Sequence, residues 1–486
     1  MFVGIDLGTS AVKLILVDHL GNLYHSVSKS YPLLMPKTGW TEQNPNDWFN
    51  QTLEGLKELI KGFEDHIEGV GFSGQMHGLV LLGDDDVLLR NAILWNDQRT
   101  TLEVEQLNQH IGIQTLLKET GNVALTGLTA PKILWVKKHE PDVFRKIRKI
   151  MLPKDYLIYK LTGRFVSDTT DMSGTLYFDV KHRQYSSKML GILGINASQC
   201  PEIFESSDII GTFKPFYKEF FRLHHDVKVI CGGGDQSMGA VGVGVVENGQ
   251  CSISLGTSGV VFVANESFHV DQRHYLQSYC HANGHYMMMG VMLNAGGAHK
   301  WWFKQVLEQT DYEAFYQSLS HAKENEHLYF LPYLNGERSP INDPNATGVF
   351  IGLKHHHALP DLNRAVIEGI TFSLKQSFDL IENIQGHITT IRLTGGGAVN
   401  QSWAQLIANI FNRKVERIVV EEGPALGAAI TAMVGCGQYQ QVADACQQIV
   451  RIKDNFDPQA ESVTLYKKKY QKFKEIYPQI KDLMLV

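Results

Sequence analysis

The sequence predicts an α/β protein of two related lobes with a cleft between them. The string DLGTS at residues 6–10 returns half a chain later as SLGTSG at residues 254–259. Each copy lies between β-prone apolar runs, so each is predicted to be a strand, a glycine turn and a second strand. Helix-like and strand-like stretches alternate between the two copies, as in α/β proteins. We therefore predict an N-terminal lobe of residues 1–245 and a C-terminal lobe of residues 246–486, joined without a flexible linker.

Individual elements can be placed on this frame. Asn44 and Pro45 begin a helix with an apolar face, and residues 69–73 form the strand that follows it. In the second half, Pro360 and Asp361 open a long helix, which is followed by a strand at residues 391–394. The run of lysines 467–469 belongs to a final helix, where we expect all three to lie on a solvated face.

Composition and charge exclude several classes of protein. The chain has 486 residues, of which 43% are hydrophobic and 20% charged, so it is an ordinary globular sequence. The net charge of −6 gives no reason to expect nucleic acid or an anionic membrane as partner. Six cysteines without a CxxC pair indicate reduced thiols, and the N-terminus does not resemble a leader peptide. We expect a cytoplasmic protein that does not bind a membrane and that forms a homodimer.

Glycine-rich segments predict a phosphate site. A glycine turn that carries Thr and Ser lets a phosphate approach the backbone N–H groups, with short hydroxyls beside it. Two such turns on facing lobes could hold a polyphosphate from both sides. Runs of three glycines at residues 232–234 and 395–397 end two further apparent strands. Neither run fits the Walker pattern or a convincing dinucleotide fingerprint.

Two aspartates, Asp235 and Asp6, lie where a carboxylate could take part in catalysis or in metal binding. Asp235 directly follows the first run of three glycines, and we expect it to be the N-cap of the next helix, which is compatible with a catalytic role. Asp6 lies inside an apolar strand, where an unpaired carboxylate is costly to bury. It is either a satisfied structural residue or one that faces a metal–phosphate group, and the sequence leaves both open.

Other polar clusters are less specific. The segments GQMHG at residues 74–78 and WNDQR at 95–99 each follow an apolar run, which suits a small hydroxylated ligand or a surface turn. The three histidines at 355–357 are expected in a solvated loop. Cys280, His281 and His285 flank a hairpin signal and are expected on paired strands rather than on zinc.

In their order along the chain, these motifs resemble the FGGY carbohydrate kinases of the actin-like ATPase superfamily. The segments at residues 129–135 and 348–368 also resemble long signatures of that family. The resemblance implies two actin-like (ribonuclease H-like) lobes with a nucleotide and sugar cleft between them. The N-terminal lobe would bind the sugar and carry the first phosphate hairpin, and the C-terminal lobe would bind the nucleotide.

The strings GQMHG, ILWND, LPKDYL and LPYLNGERSP are most similar to family members that act on D-xylulose. The resemblance therefore implies ATP-dependent phosphorylation of D-xylulose to D-xylulose 5-phosphate, with ATP and Mg²⁺ as cofactors. It implies Asp235 as the base for the sugar hydroxyl, Asp6 and Asp235 at the metal, Met76, His77, Trp95 and Gln236 at the sugar, Thr9, Ser10 and Thr257 at the phosphates, and Gly396, Gly397 and Asn400 near the adenosine.

Two alternatives stay open. Within the family, the substrate could be another sugar or polyol such as ribulose, gluconate or glycerol, because hydroxyl stereochemistry cannot be deduced from the sequence. Outside enzymes, an actin-like binding or filament protein would use the nucleotide to control shape. Such a switch needs neither a base such as Asp235 nor a sugar pocket, which argues against it.

Overall fold

The computed structural model describes residues 1–322, 327–419 and 422–484. The strands of the first half are β1 Phe2–Leu7, β2 Ala11–Val17, β3 Leu23–Ser30, β4 Glu42–Gln43, β5 Gly69–Gly74, β6 Val80–Leu82, β7 Ala92–Ile93, β8 Lys149–Met151, β9 Val166–Asp168, β10 Phe178–Asp179, β11 Gln184–Tyr185, β12 Glu202–Phe204, β13 Ile209–Thr212, β14 Lys228–Ile230 and β15 Gly233–Gly234. Its helices are α1 Pro45–Leu59, α2 Thr101–Glu105, α3 Ile113–Thr120, α4 Thr129–His139, α5 Pro141–Lys146, α6 Pro153–Thr162, α7 Thr169–Met172, α8 Ser187–Leu193, α9 Pro215–Phe220 and α10 Asp235–Gly242.

The second half continues in the same style. Its strands are β16 Gln250–Leu255, β17 Gly259–Asn265, β18 Gln277–Cys280, β19 Tyr286–Met292, β20 Tyr329–Leu331, β21 Val349–Ile351, β22 Thr390–Thr394, β23 Lys414–Ile418 and β24 Ile452–Phe456. Its helices are α11 Gly296–Trp301, α12 Tyr312–Ser318, α13 Leu359–Gln385, α14 Gln401–Phe411, α15 Gly423–Gly435, α16 Val442–Ile449 and α17 Ala460–Ile480. Within the described ranges, no helix is both long enough and apolar enough to pass through a bilayer.

Each half builds its own seven-stranded sheet, and the two sheets share one pairing pattern. The first runs β13-β14-β5-β1-β2-β3, with β15 beside β5, and the second runs β18-β19-β17-β16-β22-β23-β24. In the first, β1 pairs antiparallel with β2 and parallel with β5. In the second, β16 pairs antiparallel with β17 and parallel with β22. This confirms the predicted α/β fold of two related lobes. In each lobe the repeated glycine turn joins the two strands of a hairpin at the centre of the sheet.

The predicted elements are present with small shifts. Asn44 caps α1, because its side chain accepts a hydrogen bond from the Asn46 backbone N–H. The long helix opened by Pro360 is α13, and the strand after it is β22. The expectation that residues 467–469 form one solvated face is wrong at Lys469. That side chain is buried and pairs with Glu368 of α13, so the helix α17 is held to the core by a buried ion pair.

The two lobes are joined by helices that cross between them. Helix α15 packs its backbone directly on the first sheet: a Cβ atom added to Gly4 would lie 1.9 Å from the Ala425 carbonyl oxygen. Helix α10 in turn packs on the second sheet, where Ala240 shares an apolar cluster with Phe262. The predicted boundary near residue 245 falls between α10 and β16, and it stays a proposal.

We predict that Gly427→Ala destabilises the protein and that Gly239→Ala does not. Both glycines lie where α10 and α15 cross. A Cβ on Gly427 would meet the Met238 carbonyl oxygen at 1.9 Å, whereas a Cβ on Gly239 has Pro424 Cγ at 3.7 Å as its nearest neighbour. Overpacking of this kind costs about 1–3 kcal/mol. Thermal unfolding should therefore show a lower Tm for Gly427→Ala alone. Equal Tm values for the two variants would contradict the close backbone contact.

Candidate functional site

The cleft between the sheets holds three cavities that share lining residues. The first cavity, of about 200 Å³, includes Met76 and His77 in its wall. The middle cavity, of about 380 Å³, shares Asp235, Gln236 and Val260 with the first. The third cavity, of about 620 Å³, shares Gly396 with the middle one. Because neighbouring cavities share wall residues, the three form a row from the first lobe to the second, here called the path.

The structure brings most of the predicted site residues to this path. The first cavity is lined by Thr9, Met76, His77, Trp95, Asp235 and Gln236, and the third by Thr257, Gly396, Gly397 and Asn400. Thr9 therefore lies beside the residues implied for the sugar rather than beside Thr257. Ser10 is exposed and, like Asp6, is not among the residues that line these three cavities in the described part of the chain.

Asp235 lies where the first two cavities meet. It is the first residue of α10, and Gly234 occupies the cap position, so the expectation that Asp235 is the N-cap is wrong by one residue. Burial, with a smaller contribution from the charge of Asp6, raises the pKa of the Asp235 carboxyl to about 7. A carboxyl group with this pKa exchanges a proton readily near neutral pH, which suits a general base.

Asp6 projects from β1 at the point where β1 pairs with β5. Ser73 lies opposite it in the register, and the Ser73 hydroxyl donates a hydrogen bond of 2.8 Å to the Asp6 carboxylate. Burial raises the pKa of Asp6, while the Ser73 hydrogen bond and the charge of Lys13 oppose that rise. Asp6 is thus held by one hydroxyl and keeps acceptor capacity on its carboxylate.

A buried ionic cluster lies behind Asp235. The Lys154 ammonium is 2.7 Å from Asp155 and 2.8 Å from Asp168. The Thr170 hydroxyl, itself bonded to Asp168, accepts a 3.0 Å hydrogen bond from the Gly234 backbone N–H. The neighbouring carboxylates raise the pKa of Lys154, so its charge is retained. This cluster fixes the strand end from which Asp235 projects.

His77 is held in an unusual backbone conformation. Its φ is +70°, and its carbonyl oxygen accepts hydrogen bonds from the Thr129 hydroxyl at 3.1 Å and the Lys132 ammonium at 2.7 Å. Its Nδ1 lies 3.1 Å from the Gly174 carbonyl oxygen, which can only accept, so Nδ1 carries the proton. Burial and the charge of Lys132 lower the His77 pKa to about 3. The imidazole is therefore neutral at pH 7, with Nε2 free to accept a hydrogen bond.

The two glycine turns are anchored through their carbonyl oxygens. In the first turn, the Gly8 carbonyl accepts from the Tyr31 hydroxyl and the Thr9 carbonyl accepts from the Gln43 amide. In the second, the Gly256 and Thr257 carbonyls accept backbone N–H groups from residues 295–297 at 2.8–3.1 Å. In a peptide unit the N–H points opposite to the carbonyl, so the N–H groups of Thr9 and Ser10 point away from these anchors, as in an anion site. The Gly8 N–H instead donates to the Ala11 carbonyl oxygen at 3.1 Å.

Several residues that line the cavities were not predicted from the sequence. Arg338 and Gln277 line the first cavity, and of the two Arg338 lies within the family-like segment LPYLNGERSP at residues 331–340. His299 and Trp403 line the third cavity on helices that are far apart in sequence. Their ring centroids lie 5.5 Å apart, and burial lowers the pKa of His299 to about 4.

The histidine clusters lie away from this path. The residues 355–357 are exposed, or nearly so, in a turn ahead of α13, as expected. His281 is buried between strands β18 and β19, with Nδ1 2.9 Å from the Ser237 hydroxyl and Nε2 2.9 Å from the Val245 carbonyl oxygen. His281 thus ties the β18–β19 hairpin to α10.

Comparison with known proteins decides the family. Residues 1–242 match the N-terminal domain model of the FGGY family of carbohydrate kinases, and residues 251–436 match its C-terminal domain model. The chain belongs to this family. As a carbohydrate kinase, it is an enzyme that uses ATP, and the alternative of an actin-like binding or filament protein is wrong.

The kinase is similar to relatives over its whole length. It is 39% identical to the xylulose kinase of Bacillus subtilis, over 99% of this chain and 97% of that protein. The structure of xylulose kinase from Lactobacillus acidophilus matches with a TM-score of 0.95 at 30% identity, covering 99% of this chain and 98% of that one. The gluconate kinase of the same organism matches with a TM-score of 0.94 at 31% identity and the same coverage. These matches confirm the predicted two-lobe, actin-like fold.

We predict that Asp235→Asn raises the Tm of the kinase more at pH 8 than at pH 5. The pKa of this carboxyl rises from an ordinary value of 3.8 to about 7 on folding, so the folded state binds the proton more tightly. The stability that this carboxyl contributes is therefore lost as the pH rises from about 4 to 7, whereas asparagine carries no charge to bury. Scanning calorimetry at the two pH values measures this difference. An equal change in Tm at both pH values would mean that burying the Asp235 carboxylate does not destabilise the protein.

Proposed function

We propose that this kinase transfers the γ-phosphoryl group of ATP to the 5-hydroxyl of D-xylulose, giving D-xylulose 5-phosphate. The observation that carries the proposal is the position of Asp235, which lines both the first and the middle cavity. A group at that junction can reach a sugar hydroxyl on one side and a phosphate on the other. With a pKa near 7, its carboxylate can accept the hydroxyl proton as the oxygen attacks phosphorus.

The first cavity supplies the sugar wall in this proposal. His77 Nε2 can accept a hydrogen bond from a hydroxyl, and Met76 and Trp95 offer apolar surface against the carbon chain. Gln236 follows Asp235 on α10 and can orient a second hydroxyl. Support for D-xylulose as the sugar comes from the relatives that carry the name xylulose kinase and match this chain along nearly its full length.

The two turns and the third cavity supply the nucleotide site. Thr9 of the first turn and Ser258 of the second both line the first cavity, so both turns border it. Thr257 would bind the phosphates from the second lobe, and Ser10 would approach them from the first. Gly396 has open space where a Cβ would lie, and Gly397 and Asn400 continue the same wall, so the adenosine would lie there.

The magnesium ion of this reaction would bind near the carboxylates of Asp6 and Asp235. The charge of Asp6 already raises the pKa of Asp235, so a cation near the pair would relieve that repulsion. Mg²⁺ in kinases is held by one or two carboxylates together with phosphate oxygens, which is the donor set available here. When bound, the ion would neutralise charge on the phosphates. Asp6 would hold it, and Asp235 would keep its role as the base.

A specific observation favours one other substrate. Arg338 lines the first cavity, and a guanidinium there could pair with the carboxylate of an aldonate such as gluconate. The gluconate kinase structure matches this chain as well as the xylulose kinase structure does. Ribulose and glycerol are the other substrates that the sequence leaves open. The homodimer and the cytoplasmic location stay predictions from the sequence.

We predict a preference for D-xylulose over D-ribulose, D-gluconate and glycerol of at least tenfold in kcat/KM. The measurement is ADP release coupled to a detection enzyme, with each substrate over a range of concentrations. A parallel assay of the wild-type kinase without sugar corrects for ATP hydrolysis that does not need the sugar. A tenfold preference for gluconate would instead assign Arg338 to carboxylate recognition and leave the kinase assignment intact.

We predict that Asp235→Asn lowers kcat by roughly 10²–10⁴, the range expected for loss of a general base. Affinity for the nucleotide should change little, because the asparagine keeps the shape of the side chain. In the wild type, kcat/KM for the sugar should fall below pH 7 as Asp235 is protonated. Stopped-assay kinetics across pH 5–9 measure the kcat of the variant and the pH dependence of kcat/KM in the wild type. Near-normal turnover by the folded variant would remove Asp235 from the mechanism.

A further inference from the structure

Thr9 occupies a place between the sugar wall and the first phosphate turn. The Trp95 indole N–H donates to the Thr9 hydroxyl at 2.9 Å, and that hydroxyl lies 3.1 Å from the Gln75 side-chain oxygen. An indole N–H can only donate and a carboxamide oxygen can only accept. The direction of the chain is therefore fixed from Trp95 through Thr9 to Gln75, and the single proton of the Thr9 hydroxyl is committed to Gln75.

The chain continues into a buried network that returns to Thr9. The Gln75 amide donates to the Gln43 side-chain oxygen at 3.1 Å, and the Trp48 indole donates to the same oxygen at 3.0 Å. The Gln43 amide then donates to the Thr9 carbonyl oxygen at 2.7 Å. Because the Trp48 N–H can only donate, the orientation of the Gln43 amide is set. Thr9 is thus held at both its side chain and its backbone.

Trp95 is the member of this network that a ligand can reach. Gln43 and Gln75 are each 1% exposed and Trp48 is fully buried, whereas Trp95 is 42% exposed and lines the first cavity. A sugar packed against the indole would hold Trp95 in its hydrogen-bonded position. The link from Trp95 to the Thr9 turn would then be held more firmly before the nucleotide arrives, and the nucleotide would bind with a smaller loss of entropy.

We propose that the Thr9 hydroxyl couples the two substrates, so that sugar on Trp95 strengthens nucleotide binding at the first turn. This rests on the proposed function, since it takes D-xylulose and ATP as the two ligands. By linkage, the nucleotide must strengthen sugar binding by the same factor. Thr9 is a positioning residue in this role and does not donate its proton to a phosphate.

The test is the dissociation constant of magnesium AMP-PNP with and without saturating D-xylulose, measured by calorimetry. We expect the sugar to lower this constant by roughly two- to tenfold in the wild type, the effect of one hydrogen bond. Thr9→Val keeps the shape of the side chain and should bring the ratio close to one. Thr9→Ser should restore it. Thr464→Val on the exposed face of α17 is the matched control and should keep the wild-type ratio.

A second variant breaks the same hydrogen bond from the other side. Trp95→Phe keeps an aromatic wall but loses the N–H, and it too should bring the ratio close to one. A wild-type ratio in Thr9→Val or Trp95→Phe, or no coupling in the wild type, would overturn the role of Thr9. If the wild-type protein binds no D-xylulose at all, either with or without nucleotide, the proposed substrate is contradicted instead.

Discussion

The backbone contact between α10 and α15 is the constraint on which the active site depends. These helices come from different halves of the chain, and each packs on the sheet of the other lobe. Glycine makes the contact possible: a Cβ on Gly242 would lie 2.0 Å from the Gly423 carbonyl oxygen. Because α10 begins at Asp235, the position of this carboxylate relative to the second sheet follows directly from how the two helices cross.

The site also buries carboxylates at a cost to the stability of the fold. Asp6 and Asp235 are carboxylates close enough for the charge of Asp6 to raise the pKa of Asp235, and burial raises the pKa of both. The fold supports them from behind with the cluster around Lys154 and with the Ser73 hydroxyl. In the proposed reaction, Asp6 would hold a cation and Asp235 would accept the proton of the sugar hydroxyl, as phosphoryl transfer requires.

Local patterns predicted the frame of this protein well. The repeated glycine turns, α1 and α13 follow from hydrophobic periodicity and capping residues close in sequence, so they could be predicted from short windows. Lys469 could not, because its partner Glu368 lies on a distant helix. The same applies to the hydrogen bond between Trp95 and Thr9, which joins residues far apart in sequence, and to Arg338, which reaches the first cavity only through the fold.

In the proposed reaction, the γ-phosphate of ATP is joined to the 5-hydroxyl of D-xylulose beside Asp235. The most direct measurement is NMR of the product formed from D-xylulose labelled with ¹³C at carbon 5, magnesium ATP and the purified kinase. The account predicts a single phosphate ester whose phosphorus couples to the labelled carbon. Inorganic phosphate as the only product, or an ester at another carbon, would contradict it.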